Sequence, residues 1–210
     1  VWRSIKIMEG SIKKTNRNQN QVRKQNCKQK LLLHSCCGPC STAVIDRLAN
    51  EYDITVYFYN PNITDREEYQ KRKESQIRFI ELYNCGRNDE NAISFIEGPY
   101  DPNNFYVETK GLEKEPEGGR RCEKCFMLRM KETANIASRN NYQCFGTTLS
   151  VSPHKNNNLI SRIGQELESI LDVSFLDEDF KKKAGFQRSV QMSKEYELYR
   201  QVYCGCEFSK

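Results

Sequence analysis

The chain has 210 residues, of which 37% are apolar and 29% are charged, and its formal net charge is +5 at pH 7. This length suits one domain of ordinary size. No apolar run approaches the roughly 20 residues that span a bilayer, and the first residues lack the apolar stretch of a secretory signal, so we expect a cytoplasmic protein without a membrane segment.

The positive charge is concentrated near the N-terminus. Residues 1–30 contain nine Lys or Arg and one acid, Glu9, so the rest of the chain is slightly acidic. The segment Lys13–Lys30 is rich in Asn, Gln and Lys and has no apolar periodicity, which is typical of disorder. We predict a disordered basic tail over residues 1–29, which either holds RNA loosely through its phosphates or is a solvated extension.

Strands and helices alternate along the remaining chain. The predicted strands are short runs of apolar, β-branched or aromatic residues: Lys30–Ser35, Ile54–Tyr59, Ala92–Ile96 and Tyr142–Thr147. The predicted helices have apolar or oppositely charged residues at helical spacing: Ser41–Tyr52, Asp65–Tyr83, Arg120–Asn140, Asn156–Leu171 and Lys194–Arg200. This alternation predicts an α/β fold, with a mostly parallel sheet flanked by helices, in a single domain over residues 30–210.

Three segments with distinctive residues follow predicted strands. They are Cys36–Cys40, Asn60–Ile63 and Thr147–His154. In a parallel sheet, functional residues gather in the loops beyond the C-terminal ends of the strands. We therefore expect these three loops to meet at one end of the sheet.

The cysteines indicate metal or redox chemistry. The chain has ten cysteines, and outside secreted scaffolds short cysteine spacings are typical of metal sites. Cys36 and Cys37 are adjacent, Cys40 follows three residues later, and Cys122 and Cys125 begin a predicted helix, whose N-terminus stabilises thiolates. Together they offer thiolates for either zinc or an iron–sulfur cluster. The separation of about eighty residues between the groups favours a functional cluster over a structural zinc site.

A third cysteine motif lies close to the end of the chain. The sulfurs of Cys204 and Cys206 are separated only by Gly205, so they are able to join in a small, strained disulfide. Strain makes a disulfide easier to reduce, which is typical of a catalytic bond. The alternative is that both cysteines are further metal ligands.

Basic residues beside these motifs are candidates for contact with phosphate groups or with the negative charge of a metal cluster. The candidate substrate-binding residues are Arg120, Arg121, His154, Lys155 and Arg200. His154 is also a candidate proton donor. The aromatic and amide residues just before Cys204 suit stacking on an exposed base.

With these residues in view, the chain resembles the epoxyqueuosine reductases of the QueH type. The matching motifs occur in the order found in that family and are spread over residues 30–210: HSCCGPCS at His34–Ser41, FYNPNI at Phe58–Ile63, EPEGGRRCEKCFMLRM at Glu115–Met130, FGTTLSVSPHKN at Phe145–Asn156, and YRQVYCGCEFS at Tyr199–Ser209. Any one of these motifs alone is weak, but the set is specific. The segment before Lys30 lies outside the resemblance.

The resemblance implies a fold and an activity. The fold is similar to the nucleotide α-hydrolase (HUP) class, and the activity is reduction of epoxyqueuosine to queuosine at the wobble position of a tRNA with a GUN anticodon, using an unidentified electron donor. A 4Fe–4S cluster would be held by Cys36, Cys37, Cys122 and Cys125. An additional mononuclear iron would lie nearby, with Cys40 as a candidate ligand. Cys204 and Cys206 would form the redox-active pair.

Three alternatives come from other classes of protein. Cys37-Gly38-Pro39-Cys40 is also the pattern of a thioredoxin-type oxidoreductase, but Cys36 and the second Cys-x-x-Cys argue against it. A tRNA sulfurtransferase of related fold needs an SGGxDS-type phosphate loop after the first strand, where this chain has CCGPCS. A zinc-binding module that holds RNA through its tail is distinguished by metal analysis.

Overall fold

The computed structural model describes residues 28–88 and 91–209. The predicted tail over residues 1–29 lies outside the described residues except for its last two, and so does Cys27. Within the described ranges, no helix combines the length and the apolar character needed to cross a bilayer.

The core of the fold is a five-stranded sheet in which all four pairings are parallel. The strands are β1 (Gln29–His34), β2 (Tyr52–Phe58), β3 (Ser94–Glu97), β4 (Cys144–Thr147) and β5 (Ser174–Phe175). Their order is β3-β2-β1-β4-β5, so β1 lies in the centre. This parallel sheet confirms the predicted fold class.

Helices cover both faces of the sheet. They are α1 (Gly38–Leu48), α2 (Arg66–Asn84), α3 (Pro102–Thr109), α4 (Arg120–Arg139), α5 (Asn157–Ile170) and α6 (Gly185–Glu195), and short 3-10 turns occur at Thr148–Val151 and Glu207–Ser209. Side chains alternate across a strand, so Leu31 and Leu33 pack on the side of α1, α2 and α6 while Leu32 packs on the side of α4 and α5. Both faces of β1 are therefore buried, which explains its continuous apolar run.

Several elements differ from the sequence prediction: α1 begins and ends earlier than the predicted Ser41–Tyr52, β5 was not predicted, and two other helices also differ. The predicted helix Lys194–Arg200 is wrong because α6 ends at Glu195, and Glu197 has a φ of 51°, in the left-handed region. Helix α3 was not predicted, although Asp101 caps it by accepting from the N–H of Asn103 and Pro102 occupies its first turn. That Asp-Pro pair is a helix-start signal in the sequence.

The fold places the chemically distinctive loops together. β1, β2 and β4 run parallel and end at His34, Phe58 and Thr147. The segments beginning at Cys36, Asn60 and Thr148 therefore leave the sheet at the same end, as predicted.

Candidate metal centre

The first loop holds three thiols together. The Sγ atoms of Cys36, Cys37 and Cys40 all lie within 4.8 Å of one another. Cys37 is the N-cap of α1, and Gly38 follows it where α1 approaches α2 so closely that a Cβ would lie 2.6 Å from the carbonyl oxygen of Ser75. The glycine is thus required for the close packing that fixes this loop.

Hydrogen bonding makes the thiol of Cys36 more acidic than the other two thiols of this loop. The thiols of Cys37 and Cys40 hydrogen-bond to Cys36, and this holds the pKa of Cys36 well below the usual range, with help from Lys155 and Arg129. Burial raises the pKa of Cys37 to about 12. The loop therefore concentrates negative charge on Cys36, as a thiolate ligand requires.

The second pair of cysteines opens α4. Gly119 is the N-cap of this helix, and the N–H of Gly118 donates to Sγ of Cys122 at 3.2 Å. Cys125 is buried, and burial raises the pKa of its thiol to about 12, although the charge of Arg129 acts in the opposite direction.

The two cysteine groups adjoin one buried cluster of side chains. Cys36 and Cys37 belong to a buried cluster that includes Phe126 of α4, and Cys40 and Cys122 pack against the same cluster. Among the described residues, however, Cys40 rather than Cys122 or Cys125 completes the 4.8 Å group with Cys36 and Cys37. The four expected ligands thus lie in one region of the protein but in two separate groups, Cys36 with Cys37 and Cys122 with Cys125.

The C-terminal motif is folded into the same region. Cys206 is buried against Cys125 and Phe105. Arg72 donates to the carbonyl oxygens of Tyr203 and Cys204, at 3.0 Å each. The thiols of Cys204 and Cys206 are free in this structure, and the disulfide between them stays a prediction. We call the seven cysteines of the three segments the thiol centre: Cys36, Cys37, Cys40, Cys122, Cys125, Cys204 and Cys206.

Two cations adjoin the thiol centre. Arg129 is 1% exposed, and its neighbours include Cys125, Cys204 and Cys36. Burial lowers the pKa of Lys155, but the thiols of Cys204 and Cys36 outweigh it and raise that pKa above its ordinary value. A set of sulfur donors beside the buried Arg129 and the half-buried Lys155 suits an anionic iron–sulfur cluster.

The remaining candidate residues occupy different environments. Arg120, His154 and Arg200 are exposed, and the guanidinium of Arg200 lies over the ring of Phe186. Arg121 is 2% exposed and donates to the carbonyl oxygens of Leu112, Glu113, Glu115 and Phe208, so it packs the loop before α4 against the end of the chain. Lys155 is half-buried beside the thiols.

The roles of three residues beside the thiols were not predicted. Arg129 follows Cys125 by four residues and Cys122 by seven, a helical spacing that places all three on one face and was visible in the sequence. Gln201 donates from Nε2 to Sγ of Cys37 at 2.9 Å. Arg72 lies within a highly charged helix, and nothing local distinguishes it from the basic residues around it.

Known proteins resemble this chain along most of its length. A family model described as epoxyqueuosine reductase QueH matches residues 31–210. Relatives named epoxyqueuosine reductase QueH include that of Streptococcus pyogenes serotype M1, which is 40% identical over 89% of this chain and 72% of its own length. The relative from Staphylococcus aureus strain Mu50 is 41% identical over 90% of this chain and 79% of its own length. The relative from Thermotoga maritima is 34% identical over 85% of this chain and 89% of its own length.

A solved structure supports the fold. The U34-tRNA thiolase NcsA from Methanococcus maripaludis, with its [4Fe-4S] cluster, superposes with a TM-score of 0.54 at 12% sequence identity. The match covers 87% of this chain but 62% of the thiolase, which is less than two thirds of that protein. The likeness is one of fold.

Proposed function

Because the chain belongs to the family of epoxyqueuosine reductases called QueH, we propose that it reduces epoxyqueuosine in tRNA to queuosine through its thiol centre. The observation that carries the proposal is the meeting of three cysteine segments at one end of the sheet: Cys36, Cys37 and Cys40 share one group, and Cys206 packs on Cys125. The reaction belongs in the cytoplasm, where thiols stay reduced.

The reaction needs two electrons and two protons. Both C–O bonds of the epoxide break, an alkene forms between the two carbons, and the oxygen leaves as water. Oxidation of one dithiol to a disulfide releases two electrons and two protons, which balances this equation. Cys204 and Cys206 are the dithiol that we assign to this role, because Cys206 is buried against Cys125.

The sulfur donors fit an iron–sulfur cluster, and the positive charges of Arg129 and Lys155 beside them fit its negative charge. Cys36, Cys37, Cys122 and Cys125 would hold a 4Fe–4S cluster, which supplies electrons one at a time when bound. Cys40 lies in the first group but outside this ligand set, so its sulfur is available to the additional iron. The protein around them excludes water, since Cys36, Cys37 and Cys125 are all at most 7% exposed.

The substrate is a tRNA, and we propose an anticodon loop of GUN sequence that carries epoxyqueuosine. A base in a single-stranded loop is able to leave its stack and enter a protein site. The exposed side chains of Arg120, His154 and Arg200 are the candidates for contact with its backbone.

The experiment compares matched cysteine variants under anaerobic conditions. Cys36→Ser and Cys122→Ser should lose iron and acid-labile sulfide together with conversion of epoxyqueuosine in tRNA, which mass spectrometry of the nucleosides measures. Cys204→Ser should keep the visible absorbance of the cluster and lose turnover. Cys85→Ser is the control, because Cys85 is exposed at the end of α2. Full turnover by Cys204→Ser would exclude the dithiol role, and zinc in place of iron would exclude the reductase.

A further inference from the structure

Arg129 is a buried cation that has no carboxylate partner among residues 28–88 and 91–209. Its side chain lies on the inner face of α4 and is 1% exposed. Nε donates to the carbonyl oxygen of Cys125 at 3.2 Å, while Nη2 is buried and has no hydrogen-bond partner in the described part of the chain. None of the ion pairs between described residues includes Arg129. Burying a charge is costly unless an opposite charge compensates it.

The groups around Arg129 indicate which kind of anion would balance its positive charge. Its charge interacts with thiols from all three segments of the thiol centre, namely Cys125, Cys204 and Cys36. A second cation, Lys155, is close enough to feel the charge of Arg129, and it too neighbours Cys204 and Cys36. Like charges repel each other, so two cations that interact in this region favour a strongly anionic occupant.

We propose that Arg129 is the charge-compensating residue of the centre, which stabilises its anionic state and thereby raises its reduction potential. The inference rests on the proposed function, because it takes the occupant to be an iron–sulfur cluster held by thiolates. Such a cluster gains one negative charge on reduction, and a fixed cation in a dry site stabilises the reduced form more than the oxidised form. Arg129 acts through this field and needs no contact with the tRNA.

The charges around Arg129 should also affect the stability of the metal-free protein. Without the cluster, the thiolate of Cys36 faces both Arg129 and Lys155, so the two cations exceed the negative charge beside them. Replacement by an apolar side chain of similar length should then stabilise the metal-free fold. If Arg129 served only to support the carbonyl of Cys125, the replacement would destabilise it instead.

The test uses Arg129→Met and Arg129→Lys in the full chain. Anaerobic redox titration of the cluster-loaded proteins should show a lower reduction potential for Arg129→Met, and a value near the wild type for Arg129→Lys, which keeps the charge. Urea unfolding of the metal-free proteins should show Arg129→Met at least as stable as the wild type. Arg139→Met is the control, because Arg139 is exposed in the last turn of the same helix.

The outcomes separate this inference from the proposed function. A wild-type protein without iron and sulfide would refute the proposed function itself. A wild type that carries the cluster, with Arg129→Met at an unchanged potential or Arg129→Lys as low as Arg129→Met, would overturn the role of Arg129 alone. So would a metal-free Arg129→Met protein less stable than the wild type. Severalfold faster loss of iron to a chelator from Arg129→Met, with the metal-free fold intact, supports the assignment.

Discussion

At the scale of single residues, burial fixes protonation beside the thiol centre. His34 is fully buried at the end of β1. Its Nε2 donates to the carbonyl oxygen of Tyr59 at 3.1 Å, since a carbonyl only accepts, and its Nδ1 therefore accepts from the hydroxyl of Thr147 at 3.0 Å. Burial first, and then the charge of Arg129, lower the pKa of His34 from 6.5 to about 4. The folded protein thus holds the neutral imidazole.

This imidazole should make the stability of the metal-free protein depend on pH. The unfolded chain binds a proton at His34 below pH 6.5 and the folded chain does so only near pH 4, so stability is fully present above 6.5 and falls as the pH falls to 4. The loss amounts to about 3 kcal/mol over this window. Urea unfolding of His34→Gln should show a flatter pH profile, whereas His154→Gln, at an exposed position, should keep the wild-type slope. Equal slopes in all three proteins would contradict the assignment.

Gly205 is required both by its backbone and by its surroundings. Its φ is +108°, and a Cβ there would lie 2.9 Å from Cγ1 of Ile63 and 3.2 Å from Nη1 of Arg72. Gly205→Ala should cost about 1–3 kcal/mol of unfolding free energy and speed the alkylation of Cys204 and Cys206 by displacing them. Urea unfolding and timed alkylation measure the two effects.

The control for this substitution is Gly111→Ala. Gly111 also has a left-handed φ, +81°, but a Cβ there would meet nothing within 4 Å. It shares the backbone strain of Gly205 without the close contacts. Alkylation should therefore stay at the wild-type rate in Gly111→Ala, and equal acceleration in both variants would show that strain alone explains the effect.

At the scale of elements, side chains of α2 hold the C-terminal segment in place through hydrogen bonds. Nε of Arg72 donates to Glu68 at 2.6 Å, and the other oxygen of Glu68 accepts from the hydroxyl of Tyr199 at 2.7 Å. The guanidinium also donates to the carbonyl oxygens of Tyr203 and Cys204. Arg72 is 1% exposed and Glu68 7%, so this ion pair is protected from solvent. The helix positions the Cys-Gly-Cys motif through backbone carbonyls.

Arg72→Met should release that segment. It leaves Glu68 buried without its cation, which costs about 3–5 kcal/mol of unfolding free energy. The double variant Arg72→Met/Glu68→Leu should recover much of this stability, but it should stay low in turnover because the side chain at position 72 no longer donates to the carbonyls of Tyr203 and Cys204. Hydrogen exchange of residues 203–206 should be faster in both variants.

The matched control is Arg78→Met on the same helix. Its side chain is 51% exposed and pairs with Glu197, which is 82% exposed, and such a pair contributes little to stability. Turnover and hydrogen exchange should match the wild type. If the double variant of Arg72 and Glu68 regained full turnover, the positioning role of Arg72 would be wrong.

The elements that the sequence predicted are those with a strong local pattern. β1 and β2 are runs of apolar or β-branched residues, and α4 was predicted to within one residue. Lys194–Arg200 failed because charged and aromatic residues suit a helix, while the left-handed Glu197 reflects tertiary packing. β5 has only two residues and owes its pairing to β4. Patterns within ten or twenty residues were readable, and pairings that depend on distant segments were not.

The same division applies to the site. The thiols were predictable because their spacing is local and cysteine has few other uses in such a pattern. The donation from Gln201 to Cys37 joins residues 164 positions apart, and that of Arg72 to Cys204 joins residues 132 positions apart. Only the fold brings these partners together, so their roles were not readable from the sequence.

At the scale of the whole molecule, the excess positive charge lies in a different part of the sequence from the thiol centre. The positive excess lies in the first thirty residues, and the remaining chain is slightly acidic. A tRNA is a polyanion whose attraction to a protein depends on the number of phosphates that Lys and Arg neutralise. An acidic body binds such a substrate poorly unless a basic segment adds to the attraction. The N-terminal segment is the part of the sequence with that composition.

Removal of residues 1–27, which hold seven Lys or Arg and one acid, should therefore weaken tRNA binding at low salt. The plot of log binding constant against log salt concentration should become shallower, because fewer counterions are released. Iron content and urea unfolding should match the full chain, since the thiol centre lies beyond residue 35. A chain of full length with these seven residues replaced by Gln should behave like the truncated one, because charge and not length provides the attraction. If truncation leaves the salt slope unchanged, the segment is a solvated extension, and the phosphate contacts must come from exposed residues of the body such as Arg120 and Arg200.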